Sequence, residues 1–221
     1  MIGGMSSCML LLMAVATHKS VIKIEPQQLT LRDGAKVNVR AATKKDVGVV
    51  TDLIHQAYGY WMDEFGLKLS PQTQPAEKTE KHLVGLGFVA TDESGKIVAT
   101  FSSDEVKITE TPENIDVKFR FANEGVSYTK VENLNTPING RYLEFKKFAT
   151  DPRLGKQGLG KQLYLLAENF ARANGFDGVE LETVYECRWL YEWYVEMGFQ
   201  VIGRHQYPGS KLDTLILVKM F

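Results

Sequence analysis

Asp151-Pro152-Arg153-Leu154-Gly155-Lys156-Gln157-Gly158-Leu159-Gly160-Lys161 decides how this chain is read. It joins an apolar-rich run, Tyr142 to Ala149, to a strongly amphipathic one that starts at Leu159. A strand that turns tightly into a helix leaves the first N–H groups of that helix without intrahelical acceptors. Those donors, with the positive end of the helix dipole, make a site for phosphate. A phosphorylated ligand is therefore expected at this loop.

The segments after the loop are clear in pattern. Leu159, Leu163, Leu166 and Phe170 share one helical face, and Asn174-Gly175 ends the helix. Val179-Glu180-Leu181-Glu182-Thr183 alternates as a strand, and Glu186 to Met197 reads as a second helix, closed by Gly198, with Leu190, Tyr194 and Met197 along one side. Strands follow at Phe199 to Ile202 and Leu212 to Val218, with a turn at Pro208-Gly209.

Before the loop, Arg141 to Thr150 reads as a strand, and so does Val37 to Arg40. Thr43-x-x-Asp46 resembles a capping box, with Val47, Val50, Ile54 and Ala57 following at helical spacing. Ser70 to Thr79, with Pro71 and Pro75, reads as a loop that interrupts two short helical pieces. Phe88 to Thr91 and Lys96 to Phe101 form a hairpin around Asp92-Glu93-Ser94-Gly95. Residues 104 to 140 read as a long excursion with a hairpin inside. The order βα…βββαβαββ implies an α/β (α+β) fold, a mixed sheet with helices packed on it.

Length and composition suit one soluble domain: 221 residues, 44% apolar and 24% charged. A formal charge of −1 gives no electrostatic reason to expect nucleic acid as a partner. Cys8 and Cys187 make no disulfide framework, no Cys/His spacing suggests a metal, and a reducing, cytoplasmic setting is the default. Met9 to Ala16 is apolar but too short to span a bilayer, so no membrane association is expected. Ala14-Val15-Ala16 resembles a cleavage site, yet no Lys or Arg precedes the run, as a secretory signal requires. The expectation is a poorly ordered extension over 1–30 and one domain over 31–221.

Two familiar nucleotide motifs fail at the loop. Gly155-x-x-x-x-Gly160-Lys161 follows a P-loop until Gln162, where Ser or Thr should hold Mg²⁺. Gly158-x-Gly160-x-x-Leu163 puts Leu where a dinucleotide fingerprint needs a small residue. The alternative is an acyl-CoA pyrophosphate loop. Here the chain resembles the GNAT superfamily of N-acetyltransferases over roughly residues 36 to 220. The resemblance is carried by Gly158-Leu159-Gly160 as the second half of the family signature, Asp151-Pro152 before it, the opening Val37-x-Val39-Arg40-x-Ala42-Thr43-x-x-Asp46, and Trp193-Tyr194-Val195-Glu196-Met197-Gly198-Phe199. It departs from the family at Gly155, where Arg or Gln usually opens the signature, and at Cys187, where the family often carries Asn. Arg153, Lys156 and Gln157 are the neighbours able to replace the first of these.

The resemblance implies a mostly antiparallel central sheet, split near Thr150, with acetyl-CoA as co-substrate in the cleft and no metal. Its pyrophosphate falls to Gly155, Lys156, Gln157, Gly158, Leu159, Gly160 and Lys161. The backbone of Phe148, Ala149 and Thr150 takes the pantetheine arm and the oxyanion, and Cys187 lies beside the arm. Glu144 is the candidate general base and Tyr194 the candidate general acid, since direct attack by an amine needs no nucleophilic side chain. The acceptor is a small-molecule or peptide amine, and a homodimer is compatible with the family. Glu180 and Glu182 either line the amine site or form a solvated strand face. Tyr58, Tyr60 and Trp61 either wall the acceptor or pack the domain. His55 and His82 are read as structural. Two other classes stay open: a non-catalytic acyl-CoA sensor on this fold, and a nucleotide hydrolase using the P-loop-like run.

Overall fold

The computed structural model describes residues 26–83, 86–120, 125–131, 134 and 137–221. The first elements are β1 (Gln27–Thr30), β2 (Lys36–Ala41), α1 (Val47–Phe65) and α2 (Ala76–Leu83). The strands β3 (Gly87–Thr91), β4 (Ile97–Glu110), β5 (Asn114–Phe119), β6 (Gly125–Lys130) and β7 (Gly140–Thr150) follow. The C-terminal part comprises α3 (Leu159–Ala173), β8 (Gly178–Val184), α4 (Arg188–Glu196), β9 (Gln200–His205) and β10 (Thr214–Met220). Within the stretch 1–30, expected to be a poorly ordered extension, Gln27–Thr30 is a strand paired antiparallel with β2. Residues 1–25, with the apolar run Met9 to Ala16, lie outside the described residues.

The strands form one mixed sheet, antiparallel except for β7 beside β8. The 104–140 excursion is part of that sheet. β4 runs past Phe101 to Glu110, well beyond the expected hairpin arm. Its far half pairs with β5, β5 with β6, and β6 with β9 through Thr129–Arg204 and Lys130–Gly203. With β9–β10, β10–β8, β8–β7 and β7–β4 the pairing returns to its start, so these strands close a ring. Gly203 permits the closure: a Cβ there would lie 2.8 Å from Tyr128 Cβ and 3.0 Å from Ile216 Cγ2.

Side chains of the ring alternate between its interior and its outer face. Inside lies an apolar cluster of Val106, Ile108, Ile115, Val117, Tyr128, Ile138, Tyr142, Ile202, Ile216 and Val218. On the outer face Leu143 and Phe145 of β7 pack with Leu159, Leu163, Tyr164, Leu166, Ala167 and Ala171 of α3 and with Tyr194 of α4. The other face of the N-terminal half is covered by Val47, Val50, Leu53, Ile54 and Ala57 of α1 against Val89, Ile97 and Ala149.

Local chemistry sets the helix ends. The Thr43 N–H and hydroxyl donate to Asp46 at 2.7 and 2.9 Å, and the Arg40 guanidinium clamps the same carboxylate with two bonds of 2.8 Å. That clamp holds Asp46 down to about 2 and starts α1 at the end of β2. The stretch Ser70 to Thr79 is not one loop: Ser70–Thr73 is a 3₁₀ turn, and α2 begins at Ala76, directly after Pro75. α3 is tied to β10 through buried Glu168, which accepts from Tyr164 (2.7 Å), Arg172 (2.8 Å) and Lys219 (2.8 Å).

Candidate functional site

β7 and β8 pair only at Tyr142–Gly178, Leu143–Val179 and Glu144–Glu180. Beyond that point β7 continues to Thr150 on β4, while β8 continues to Val184 on β10. The edges they turn towards each other have no strand partner there, so a wedge opens between them, lined by unpaired backbone groups. The split therefore starts directly after Glu144, not near Thr150 as expected. Its cause is a bulge. Lys147 takes φ 50° and the register with β4 shifts between Thr100 and Ser102, which bends β7 away. Phe148, Ala149 and Thr150 lie on the freed edge.

The glycine loop sits at the end of that edge. Asp151 is buried and accepts from Arg153 N–H (3.0 Å), Arg153 Nε (2.9 Å) and Lys96 Nζ (3.0 Å). Arg153, then Lys96, hold its carboxyl well below the usual range. Lys156 and Gly158 take left-handed φ of 66° and 82°, a turn that gathers successive N–H groups into one concavity. The first bond of α3 runs from Gln162 N–H to Gly158 O at 3.1 Å, so the N–H groups of Leu159, Gly160 and Lys161 point forward from the helix start. Gly160 packs close to the β7 edge: a Cβ there would come 3.3 Å from Phe148 Cζ, tighter than an ordinary van der Waals contact. Arg153, one expected substitute for the missing opening side chain, is engaged with Asp151.

A second cation, Arg32, reaches the loop from the β1–β2 turn. Its N–H donates to Gln157 O (3.2 Å) and its Nη1 to Lys156 O (3.3 Å), while Gln162 Nε2 donates to Thr30 O (2.9 Å). Nothing local in the sequence marks Arg32. The contact exists because the first hairpin folds over a loop more than a hundred residues later.

The apex of the wedge opens on the polar end of the ring. Tyr142, Glu144 and Lys146 share the interior face of β7, and Glu180 and Glu182 share it on β8, opposite Val218 and Ile216. Asp104 stands beside Glu144 on β4. Lys146 Nζ donates to Glu144 and reaches Asp104 at 3.4 Å. Glu182 accepts from the hydroxyls of Tyr128 and Tyr207, the latter at 3.0 Å. Burial pushes Glu144 up to about 7, against the pull of Lys146 and with help from Glu182 and Asp104. Glu180 is 1% exposed, its Oε2 has no hydrogen-bond partner, and burial followed by Glu144 and Glu182 pushes it well above the usual carboxylate range. Glu180 is buried and Glu182 is half-buried and held by two tyrosine hydroxyls, so they are not a solvated strand face. Burial likewise brings Lys147 down to about 8, and burial followed by Lys147 and Lys146 brings His82 down to about 4. Both line a small cavity under α2 with Gln74, Thr79 and Thr100.

Tyr194 is 5% exposed, packed on Phe199 and Trp193. Burial raises its hydroxyl, and the neighbouring Tyr58 raises it further. α1, which carries Tyr58, and α4, which carries Tyr194, cover opposite faces of the sheet. Cys187 is buried at the start of α4, its thiol pushed up to about 11 by burial and Glu186. His55 Nε2 lies 2.8 Å from Gln74 O, a structural contact. Tyr60 is 56% exposed, and the side chain of Trp61 is outside those described. Among the described residues no three His, Cys, Asp or Glu side chains gather as a metal set, and no helix is long and apolar enough to cross a membrane.

Solved structures share this fold. A GNAT-family acetyltransferase from Streptococcus agalactiae aligns with TM-score 0.57 and 16% identity over 87% of this chain and 98% of its own. One from Listeria monocytogenes aligns with 0.57 and 16% over 88% and 100%. Arabidopsis thaliana NAA60, solved in complex with acetyl-CoA, aligns with 0.54 and 14% over 84% and 99%. No curated protein sequence matches this chain. The GNAT acetyltransferase family model matches residues 54–199, which takes in the parted strands β7 and β8, the glycine loop and Tyr194; the chain belongs to the GNAT acetyltransferase family.

Proposed function

We propose that this protein transfers an acetyl group from acetyl-CoA to a primary amine by direct attack in a ternary complex. One observation carries the reading: the sheet parts directly after Glu144, with the glycine loop and helix start at one end of the wedge and a buried glutamate at the other. Acetyl-CoA supplies the activated acetyl group and the thiolate that leaves. The residues fit it. Forward-pointing N–H groups at Leu159, Gly160 and Lys161 suit its pyrophosphate, and the free edge of β7 suits an extended arm.

Glu144 takes the proton of the incoming amine, directly or through water. An N–H of the freed β7 edge near Ala149 receives the oxyanion. Tyr194 gives its hydroxyl proton to the departing thiolate; its raised pKa keeps that proton in place at neutral pH. Arg32 and Gln162 hold the loop in shape from outside.

Calorimetric titration with acetyl-CoA, then an amine panel read by thiol release, tests the reading. No binding at millimolar ligand overturns it, and binding without thiol release from any amine leaves an acyl-CoA sensor. Tyr194→Phe keeps the ring packing and should lower kcat about 10- to 100-fold at neutral pH, with acetyl-CoA affinity within about twofold. An unchanged kcat removes Tyr194 from the acid role. Arg32→Ala should raise the Kd for acetyl-CoA about three- to tenfold and leave kcat at saturation near wild type. A drop in kcat with unchanged Kd would contradict a loop-bracing role.

A further inference from the structure

Glu180 is a buried ionisable group that the mechanism above does not use. It stands in register beside Glu144 on the parallel strand pair β7–β8, is 1% exposed, and carries a buried oxygen without a partner among the described residues. The charged groups that act on it most strongly are the carboxylates of Glu144 and Glu182. Glu182 is engaged by two tyrosine hydroxyls, and Glu144 is bound by Lys146, which also reaches Asp104. Two carboxylates side by side in a low-dielectric pocket do not both ionise.

We propose that Glu144 and Glu180 work as one unit, a buried carboxylate pair holding a single proton, which selects a primary alkylammonium acceptor and receives the proton that it sheds. The inference rests on the acetyl-transfer reading of the cleft and names the acceptor class for it. The proton resides on Glu180, and Glu144 is the anion that Lys146 neutralises. The acceptor's ammonium takes the place of Lys146, whose amine keeps Asp104 as its counter-charge.

The steps balance. The ammonium passes one proton to the pair, which then holds two and is neutral. The free amine's lone pair forms the C–N bond, and the C–S bond breaks with its electrons on sulfur. The second nitrogen proton replaces the one that Tyr194 gives the thiolate. The pair returns its extra proton to solvent, so the net products are amide, thiol and one proton. Beyond the pair the ring interior is apolar, with Val106, Tyr142 and Val218, so a charge placed there has few other groups to answer it. An acceptor already neutral in water has no charge to displace Lys146.

The other ionisable groups around the pair are Asp104 on β4, Lys146 and Lys147 on β7, Glu182 on β8, the Tyr128 and Tyr207 hydroxyls, and His82 on α2. The test reads the free protein first. Carbon-13 NMR of glutamate carboxyls should show two linked titration steps, and Glu180→Gln should move the Glu144 step by about one unit or more. Two independent, ordinary titrations overturn the pair. In turnover, n-pentylamine should exceed aniline in kcat/KM by about tenfold or more, and aniline as the better acceptor overturns the acceptor class. Glu180→Gln should lower kcat/KM for n-pentylamine about 10- to 100-fold, and Glu144→Gln with Glu180→Gln should cost little more than Glu144→Gln alone. Multiplying effects would mean two separate residues. The NMR and the amine preference use the unaltered chain, so they decide the matter even where a variant does not fold. Failure to bind acetyl-CoA would instead count against the cleft reading, while binding and turnover with the wrong preference would count against the pair alone.

Discussion

Glu144→Gln is expected to lower kcat for amine acetylation about 10²- to 10⁴-fold while acetyl-CoA binds with nearly wild-type affinity. Gln matches the shape of Glu and keeps an oxygen for Lys146, so the ring's polar end stays filled. What it removes is a proton acceptor at the apex of the wedge. The pH profile gives the same role an independent sign. Burial raises the Glu144 carboxyl to about 7, and only its ionised form takes a proton. The wild-type kcat/KM should therefore be at its plateau above that pH, fall to about half near it, and drop about tenfold per unit below. The variant should lack this acid limb. Thiol release followed from about pH 5.5 to about pH 9, with calorimetry for acetyl-CoA, measures both. A variant with near-wild-type kcat at neutral pH would exclude Glu144 as the base.

Gly178→Ala is expected to destabilise the protein by about 3 kcal/mol or more, lowering Tm by about 6–12 °C. Gly178 sits between Tyr142 on β7 and Met220 on β10. A Cβ there would stand 2.3 Å from Lys219 O and 2.8 Å from Tyr142 Cε1. The first is a ladder carbonyl and the second a fully buried ring whose hydroxyl donates to Ile138 O at 3.0 Å. Neither can yield without breaking the strand pairs that end at Glu144–Glu180. The acid pair would be displaced along with the fold, so activity should fall with stability. Gly48→Ala is the control: its Cβ would meet nothing within 4 Å, and it lies in α1, where Ala is the better helix former. Thermal unfolding of the two variants side by side checks the argument, and equal melting points for Gly178→Ala and wild type would refute it.

The parts of the site legible in the sequence are those built by neighbours along the chain. The glycine loop, the α3 face of Leu159, Leu163 and Leu166, the Thr43–Asp46 cap and the Tyr194 segment all depend on spacings of a few residues. The excursion was legible only as a hairpin. Its docking onto β9 rests on two residue pairs, and its length gives no hint that Tyr128 reaches Glu182. Val179 to Thr183 shows the limit well. Alternation reveals that Glu180 and Glu182 share a face, but a solvated face and a buried polar one have the same period. The position of the split depends on a bulge at Lys147, a non-glycine residue that carries no turn signature. Arg32 was missed for a similar reason, since its partners are carbonyls of residues distant in sequence.

By itself, then, the sequence determined the kind of elements, their order, and the family to which the glycine loop and the late tyrosine belong. Those properties follow from backbone preferences and side-chain periodicity, which act within one or two turns of chain. Tertiary structure alone decided that the ring closes, that the strands part at Glu144, that Arg32 reaches the loop, and that Glu144 and Glu180 are buried side by side. Burial and proximity set the protonation of Glu144 and Glu180, and both are properties of the whole sheet rather than of the residues that carry the charge.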